Sequence, residues 1–260
     1  MTAHTDEGSG PPVLLSASLG TTAAMWAPQR ARLRDTHRVI GYDHRGHGGS
    51  PAPAGPYRLG DLVDDAVALL DSLDIESVDV VGVSLGGTVG LALAADHPER
   101  VRSLVTVNAP AFADDPDFWH GRAATVRERG MAAVTGGLLG RWYSPAVADA
   151  PSALVTDTVA GVGRLDAEGY AACCEAIATT DLRGRLAGIR CPVLVVHGTA
   201  DAVVPAHHAR TIADTVPGAR HLALAGAGHL LTQEIPDRLH ALLTEHWAGA
   251  AGGADRKATA

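Results

Sequence analysis

One serine of the chain lies in a pattern that would make its hydroxyl a nucleophile. Ser84 is the central residue of GVSLG (residues 82–86), a G-x-S-x-G sequence that follows the apolar run Val78–Val83. The pattern predicts a strand, a sharp turn that raises the serine oxygen above a sheet, and a helix whose N-terminus directs N–H groups at developing negative charge. Glycine is needed on either side because a side chain there would collide with neighbouring backbone. An ordinary glycine-rich turn is the alternative interpretation.

A histidine and an aspartate would complete the chemistry, because a hydroxyl is a weak nucleophile until a base removes its proton. Among the 13 histidines, His229 ends the loop AGAGH just past the last strand-like segment, whereas most of the others, including His207, His208 and His246, are expected on the surface. Asp201 follows another strand-like segment and would orient the imidazole through its second ring nitrogen. The three residues all follow strands, so a parallel sheet would bring them together at its carboxyl edge. A loop histidine and a helix-capping aspartate are the alternative interpretations.

Two backbone N–H groups are predicted to stabilise the oxyanion that forms when the serine attacks a carbonyl. One belongs to Leu85, directly after the serine, and the other to Leu19, in a loop that follows the first strand-like segment. Removing one such donor costs ~3 kcal/mol in comparable sites.

The segment DHRGHGGS (residues 43–50) places several polar side chains in a tight glycine turn after a strand-like run. We interpret it as a hydrogen-bonded structural loop beside the site. A metal site at His44 and His47 is not favoured, because supporting ligands are lacking nearby.

Short apolar runs alternate with helical patterns along the chain. The strand-like runs are Val13–Ala17, Arg38–Tyr42, Val78–Val83, Leu104–Val107, Val193–His197 and His221–Leu224. The helical patterns are Leu59–Leu73, Leu85–Asp96, Trp119–Gly130, Met131–Trp142, Ala167–Thr179, Ala206–Val216 and Asp237–Trp247. Such alternation predicts an α/β fold with a mostly parallel central sheet and helices on both faces.

The strand signals vanish over residues 111–188, and this stretch is expected to form a helical cap over one edge of the sheet. The core is then expected to comprise residues 13–110 and 189–248. The first twelve residues are expected to be a loose N-terminus, and residues 249–260, rich in alanine and glycine, a disordered tail.

Composition excludes several classes of protein. The 260 residues carry 21 Lys+Arg against 29 Asp+Glu, a formal charge of −8, which disfavours nucleic acid as a partner. No apolar run reaches the ~20 residues that a membrane-spanning helix needs, so no membrane partner is expected. Neither a secretory signal nor a disulfide framework is visible, since the three cysteines include an adjacent pair, and a cytoplasmic location is expected.

Several segments together resemble the 3-oxoadipate enol-lactonases, which are α/β-hydrolases of the β-ketoadipate pathway of aromatic catabolism. Besides the serine motif, the similarity rests on SLGT (18–21) with MW (25–26), DHRGHGGS (43–50), PAPAGPY (51–57), HPERV (97–101), RWYSP (141–145) and EGYAACCEAI (168–177). The serine motif and the RGHG turn occur in many hydrolases. The SLGT, PAPAGPY and cap segments are more particular to the lactonases.

The resemblance implies hydrolysis of a small carboxylated lactone by Ser84, His229 and Asp201, with no metal or organic cofactor. The substrate's free carboxylate implies a cation in the pocket, for which Arg141 is the first candidate and Arg122 and Arg127 are others. Trp119 and Trp142 would wall the pocket. Solvent-exposed arginines and core tryptophans are the alternative interpretations of these residues.

Three departures from the lactonase pattern have expected consequences. The family's N-terminal strands are expected to be shortened or missing, because only twelve residues precede the first strand-like run. Ala17 stands where the family often has asparagine, which could loosen the oxyanion loop. LLTQE (residues 230–234) after His229 is expected to make the pocket rim more apolar.

Other functions remain compatible with these residues. A general carboxylesterase, a carbon–carbon bond hydrolase or a perhydrolase would share the triad and differ in the cap. A non-catalytic hydrolase-fold protein that binds a ligand is a further alternative. Some relatives are fused to a decarboxylase, which for this chain would be a separate protein, and the sequence leaves the oligomeric state open.

Overall fold

The computed structural model describes residues 2–258. Its strands are β1 (His4–Glu7), β2 (Pro12–Ser16), β3 (Arg38–Tyr42), β4 (Val78–Val83), β5 (Val101–Val107), β6 (Val193–Gly198) and β7 (Arg220–Leu224). Its α-helices are α1 (Ala27–Leu33), α2 (Leu59–Ser72), α3 (Leu85–Asp96), α4 (Pro116–Arg129), α5 (Leu138–Trp142), α6 (Pro145–Asp149), α7 (Ala153–Gly161), α8 (Ala167–Ala178), α9 (Ala206–Thr215), α10 (Leu231–Glu234) and α11 (Pro236–Ala258). Short 3-10 turns lie at Ala23–Trp26, Pro98–Arg100, Met131–Val134, Val162–Arg164 and Leu186–Gly188.

The strands form one sheet in the order β1-β3-β2-β4-β5-β6-β7, parallel except for the antiparallel pair β1–β3. Helices cover both faces, as the alternation of patterns predicts. The central strand β4 is buried along its whole length, which explains why its residues are apolar except for Asp79. The Asp79 carboxylate accepts hydrogen bonds from Arg102 and Ser103. The carboxyl ends of β2, β4, β5 and β6 therefore lie side by side at one edge of the sheet.

The prediction of a loose N-terminus is wrong for part of the first twelve residues. His4–Glu7 pairs with β3 as a short edge strand, from His4 opposite Tyr42 to Glu7 opposite Val39. Its sequence, HTDE, has no apolar residue, because an edge strand that leaves its side chains half exposed needs none. The N-terminal strands are thus shortened rather than absent.

Helices α2 and α3 illustrate two kinds of packing next to the central strand. In α2 an apolar stripe is buried while Asp64 and Asp71 stay outside it, and the Asp61 carboxylate accepts the Arg58 N–H at the helix start. In α3 residues 85–94 are all buried, so the helix is small and apolar on every side.

Helices make up most of the chain between β5 and β6, and α4 packs against α8 there. The continuous helical pattern predicted for Met131–Trp142 is interrupted. A 3-10 turn ends at Val134, and α5 begins only after Gly137, whose φ of 73° is left-handed. Glycine adopts this conformation at little cost, so the pair Gly136-Gly137 breaks the helix.

The prediction of a disordered tail from residue 249 is also wrong within the described residues, because α11 continues to Ala258. Alanine, arginine and lysine are strong helix formers and outweigh the glycines. The predicted tail's last two residues, 259–260, lie outside the described part. Within that part, no helix is long and apolar enough to cross a membrane.

Candidate active site

Ser84 lies at the turn between β4 and α3 in a strained conformation, with φ 54° and ψ −120°. Its N–H donates to the Val107 carbonyl at 2.9 Å, which fixes the turn against the end of β5. A Cβ on Gly82 would overlap the Gly86 carbonyl, and a Cβ on Gly86 would overlap the backbone of Ser16 at the end of β2. The sequence argument for glycine on both sides of the serine therefore corresponds to real close approaches of backbone.

His229 and Asp201 form a buried pair. The imidazole Nδ1 lies 2.8 Å from Asp201 Oδ2, and both side chains are 1% exposed. The other carboxylate oxygen accepts the N–H groups of Val203 at 2.7 Å and Val204 at 3.2 Å. Because the backbone binds Oδ1, Oδ2 is available to accept a hydrogen bond from the proton-bearing Nδ1 of His229. The second ring nitrogen, Nε2, then carries no proton and can act as a base.

Ser84 and His229 line the same cavity, so the fold brings the predicted residues to one place. Among the described residues, no hydrogen bond joins the two side chains, in contrast to the pair His229–Asp201. Such bonds are often long in an unliganded enzyme and tighten in the substrate complex. The cavity has a volume of about 230 Å³. This lies below the ~300–1,000 Å³ of drug-sized ligand sites, which favours a small ligand.

The two predicted oxyanion donors also line this cavity. Within the described part of the chain, the N–H groups of Leu19 and Leu85 donate to no protein acceptor. Leu85 is the first residue of α3, where a helix leaves N–H groups unpaired and carries partial positive charge. A free pair of donors beside Ser84 is what an oxyanion requires.

The loop that carries Leu19 is held by the two histidines of the segment DHRGHGGS (residues 43–50). His47 Nε2 accepts the Gly20 N–H at 3.0 Å while its Nδ1 lies 3.2 Å from the Arg45 carbonyl, and His44 Nε2 lies 3.0 Å from the Ala17 carbonyl. Burial lowers the pKa of His47 and lowers the pKa of His44 to about 3, so both rings stay neutral. These contacts agree with a structural loop.

Cap residues close the cavity on the other side. Trp142 is buried, Trp119 is partly exposed, and both line the cavity together with Arg141 and Arg122. Arg122 Nε donates to the Tyr170 hydroxyl at 2.8 Å. Neither arginine forms an ion pair with a carboxylate of the described residues.

Arg127 is not a pocket residue, contrary to its place among the sequence candidates. Its guanidinium pairs with Glu168 at 2.7 Å and with Glu175, and it does not line the cavity. Two carboxylates on α8 thus neutralise it and hold its pKa above the usual arginine range. Its role is to connect α4 and α8 at the outer surface of the cap.

Comparison with known proteins identifies the family to which this chain belongs. A family profile described as alpha/beta hydrolase fold matches residues 11–233. The chain belongs to the α/β-hydrolases. The enol-lactonase from Burkholderia xenovorans LB400 has a crystal structure that matches this hydrolase with a TM-score of 0.91 at 36% identity, covering 95% of this chain and 96% of that one.

Two curated relatives differ in their named activity. 3-Oxoadipate enol-lactonase 2 of Acinetobacter baylyi is 36% identical over 226 residues, which are 87% of this hydrolase and 84% of that protein. A RutD protein of Azorhizobium caulinodans, for which carbamate hydrolysis is the proposed activity, is 32% identical over 245 residues, 91% of each chain. These similarities support a hydrolytic function on esters.

Sequence reasoning missed Asn108, which anchors the histidine loop of this hydrolase. The side chain is 2% exposed, and its Nδ2 donates to the carbonyls of Gly228 at 2.9 Å and His229 at 2.7 Å. Its Oδ1 accepts the Gly198 N–H at 2.9 Å. One amide therefore joins the ends of β5 and β6 to the loop that presents the imidazole. The one feature of the sequence that could have indicated this role is the position of Asn108 directly after a buried strand.

The expected apolar rim after His229 is not observed. Leu230 and Leu231 are fully buried and do not line the cavity. Gln233 instead accepts from the Tyr143 hydroxyl, and Glu234 accepts the N–H groups of Gly228 and Ser144. Helix α10 therefore connects the histidine loop to the cap.

Proposed function

We propose that this hydrolase opens a small carboxylated lactone, with 3-oxoadipate enol-lactone as its substrate. The observation that carries the proposal is the cavity itself, which joins the serine turn and the buried His229–Asp201 pair to two arginines that form no ion pair within residues 2–258. A neutral ester would offer those cations no carboxylate. The proposal is supported by the sequence similarity to 3-oxoadipate enol-lactonase 2 over 84% of that protein and by the fold shared with the Burkholderia enol-lactonase.

In the proposed reaction, His229 Nε2 takes the proton of Ser84 as its oxygen attacks the lactone carbonyl. Asp201 keeps the proton on Nδ1 and stabilises the imidazolium that forms. The N–H groups of Leu19 and Leu85 bind the oxyanion of the tetrahedral intermediate. These roles require the free Nε2 and the unpaired N–H groups described above.

Collapse of the intermediate breaks the ring C–O bond and expels an enolate, which is a better leaving group than an alkoxide. The imidazolium of His229 returns its proton to this group, and the enol becomes the ketone. A water molecule activated by the same imidazole then attacks the acyl-serine. Deacylation releases 3-oxoadipate and restores Ser84.

Arg141 is proposed to bind the free carboxylate, with Arg122 beside it. Arg141 has the freer guanidinium, since Arg122 already donates to Tyr170. A guanidinium binds a carboxylate through two parallel hydrogen bonds, which orients the lactone as well as binding it. Trp142 and Trp119 supply apolar walls beside it, while the exposed side of Arg141 stays open to solvent.

The test is a spectrophotometric assay of enol-lactone loss beside an assay with a neutral short-chain ester and a carbamate. We expect the lactone to have the highest kcat/KM, and Arg141→Ala to lower it at least ~10-fold for the lactone, with little change for the ester. Arg190→Ala is the matched control, because this exposed arginine lies outside the cavity lining. Equal losses on both substrates would remove Arg141 from the role, and preference for the carbamate would replace the lactone.

A further inference from the structure

Two histidines and an aspartate converge where the cap leaves the core. His207 Nε2 lies 3.0 Å from Asp114 Oδ1, and His208 Nε2 lies 2.8 Å from Asp114 Oδ2. Asp114 stands just before α4, whereas both histidines belong to the first turn of α9. The expected surface position is wrong for His208, whose side chain is 3% exposed, and for His246, which is also buried. Neither the serine chemistry nor the carboxylate subsite uses this cluster.

The donor atoms match the ligand set of a divalent transition metal ion. Two imidazole nitrogens and one carboxylate oxygen lie within 4.8 Å of one another. Donors bound tetrahedrally at ~2.0–2.1 Å from zinc lie ~3.3 Å apart, so side-chain adjustments of about an ångström would suffice. Zinc sites with three such protein ligands keep a fourth position open.

The cluster is partly built before any ion arrives. The Phe112 ring lies 4.6 Å from the His208 ring and 6.0 Å from the His207 ring, and the two imidazoles lie 4.2 Å apart. The Arg183 guanidinium carbon lies 4.5 Å from the centroid of the Phe112 ring, and its charge is offset because it is already paired with Asp181. Asp114 and His207 are each 41% exposed, which gives an ion access from solvent.

We propose that Asp114, His207 and His208 bind one zinc-class divalent ion that joins the cap to the core of the molecule. The ion would replace the two hydrogen bonds with coordinate bonds that join Asp114, two residues before α4, to helix α9. Because Asp114 and His208 also line the cavity, the ion would lie at its wall.

The affinity expected for this site is micromolar rather than nanomolar. Strong sites hold each ligating histidine by a second hydrogen bond from the other ring nitrogen, and losing such a partner costs ~10–100-fold in affinity. The Nδ1 atom of His208 is buried without a partner among the described residues. The site is therefore suited to reversible loading rather than permanent occupancy.

The experiment is isothermal titration of the metal-free full chain with zinc chloride, followed by cobalt(II) absorption spectra. We expect one ion per chain, a tetrahedral cobalt spectrum, and a melting temperature raised by roughly 5 °C at zinc concentrations near 100 times Kd. Asp114→Asn and His207→Gln should each weaken binding at least ~10-fold. Both residues are part-exposed, so these variants should fold.

His221→Gln is the matched control, because His221 belongs to a separate histidine pair, with its Nε2 2.8 Å from His197 Nδ1. Its binding isotherm should equal that of the unmodified chain. The proposal would be overturned by the absence of saturable zinc binding, by binding that survives both ligand variants, or by binding that only His221→Gln removes.

Discussion

Replacing Asn108 tests how the molecule holds its imidazole in place. Asn108→Ala removes the donor to two buried carbonyls, those of Gly228 and His229, and the acceptor of the Gly198 N–H. The backbone bond from Asn108 N–H to Val196 would persist. Asn108 also has a φ of 47°, a left-handed conformation that asparagine tolerates better than alanine.

The magnitude follows from these contacts. Each buried polar group left without a partner costs ~1–3 kcal/mol, and the left-handed backbone adds ~1 kcal/mol for alanine. Three such groups lose their partner, and partial relaxation of the structure reduces their summed cost. We therefore expect the free energy of unfolding to fall by about 3–6 kcal/mol. Since the freed carbonyls belong to the loop of His229, a shift of about 1 Å in the imidazole would lower kcat by roughly 100-fold.

The assay pairs urea unfolding with ester turnover in Asn108→Ala and Asn108→Gly. Glycine removes the same three hydrogen bonds without the backbone strain, so it should recover only ~1 kcal/mol of stability. Because the residue positions a base, kcat should fall in both variants while KM changes little. A loss below 1 kcal/mol, or a kcat within threefold of the parent in both, would refute the anchoring role.

Three further predictions follow from the same geometry. Burial lowers the pKa of His44 and His47, so both stay neutral in the fold while the unfolded chain takes up protons below pH ~6.5. The free energy of unfolding should therefore fall as the pH drops from 7.5 to 5.5, and His44 alone should account for ~1.4 kcal/mol of the decrease. In urea titrations at the two pH values, the decrease should be smaller by this amount in His44→Gln. Gly86→Ala should cost more than ~4 kcal/mol or prevent folding, because its Cβ would overlap the Ser16 backbone, and a melting temperature near the parent's would contradict this. Asp201→Asn should leave the circular dichroism spectrum unchanged, which shows an intact fold, but should lower kcat ~10⁴-fold. A decrease in kcat of tenfold or less would argue against the orienting role of Asp201.

Much of the site could be predicted because its residues obey local rules. The serine turn needs glycine on both sides, and the contacts of Gly82 and Gly86 show why. The strands β3 and β4 were predicted with their observed bounds, since both are short, mostly buried and mostly apolar. A parallel sheet then fixes where the residues after its strands must lie, so His229 and Asp201 could be paired across 28 residues of sequence.

The parts that could not be predicted depend on contacts between distant segments. The polar strand β1 exists because β3 offers it an edge, and nothing in HTDE marks it. Arg127 pairs with carboxylates of α8 outside the cavity, and these lie forty residues or more further along the chain. The burial of His208 likewise depends on where the cap places Phe112 and Asp114.

Covalent labelling of Ser84 tests the proposed chemistry most directly. A fluorophosphonate should add one adduct per chain, found by mass spectrometry on the peptide that contains Ser84, and prior incubation with the enol-lactone should slow the labelling. His229→Ala should slow it strongly while the fold persists, because the hydroxyl then lacks its base. An adduct on another residue, or a folded Ser84→Ala variant that still hydrolyses the lactone, would contradict the mechanism.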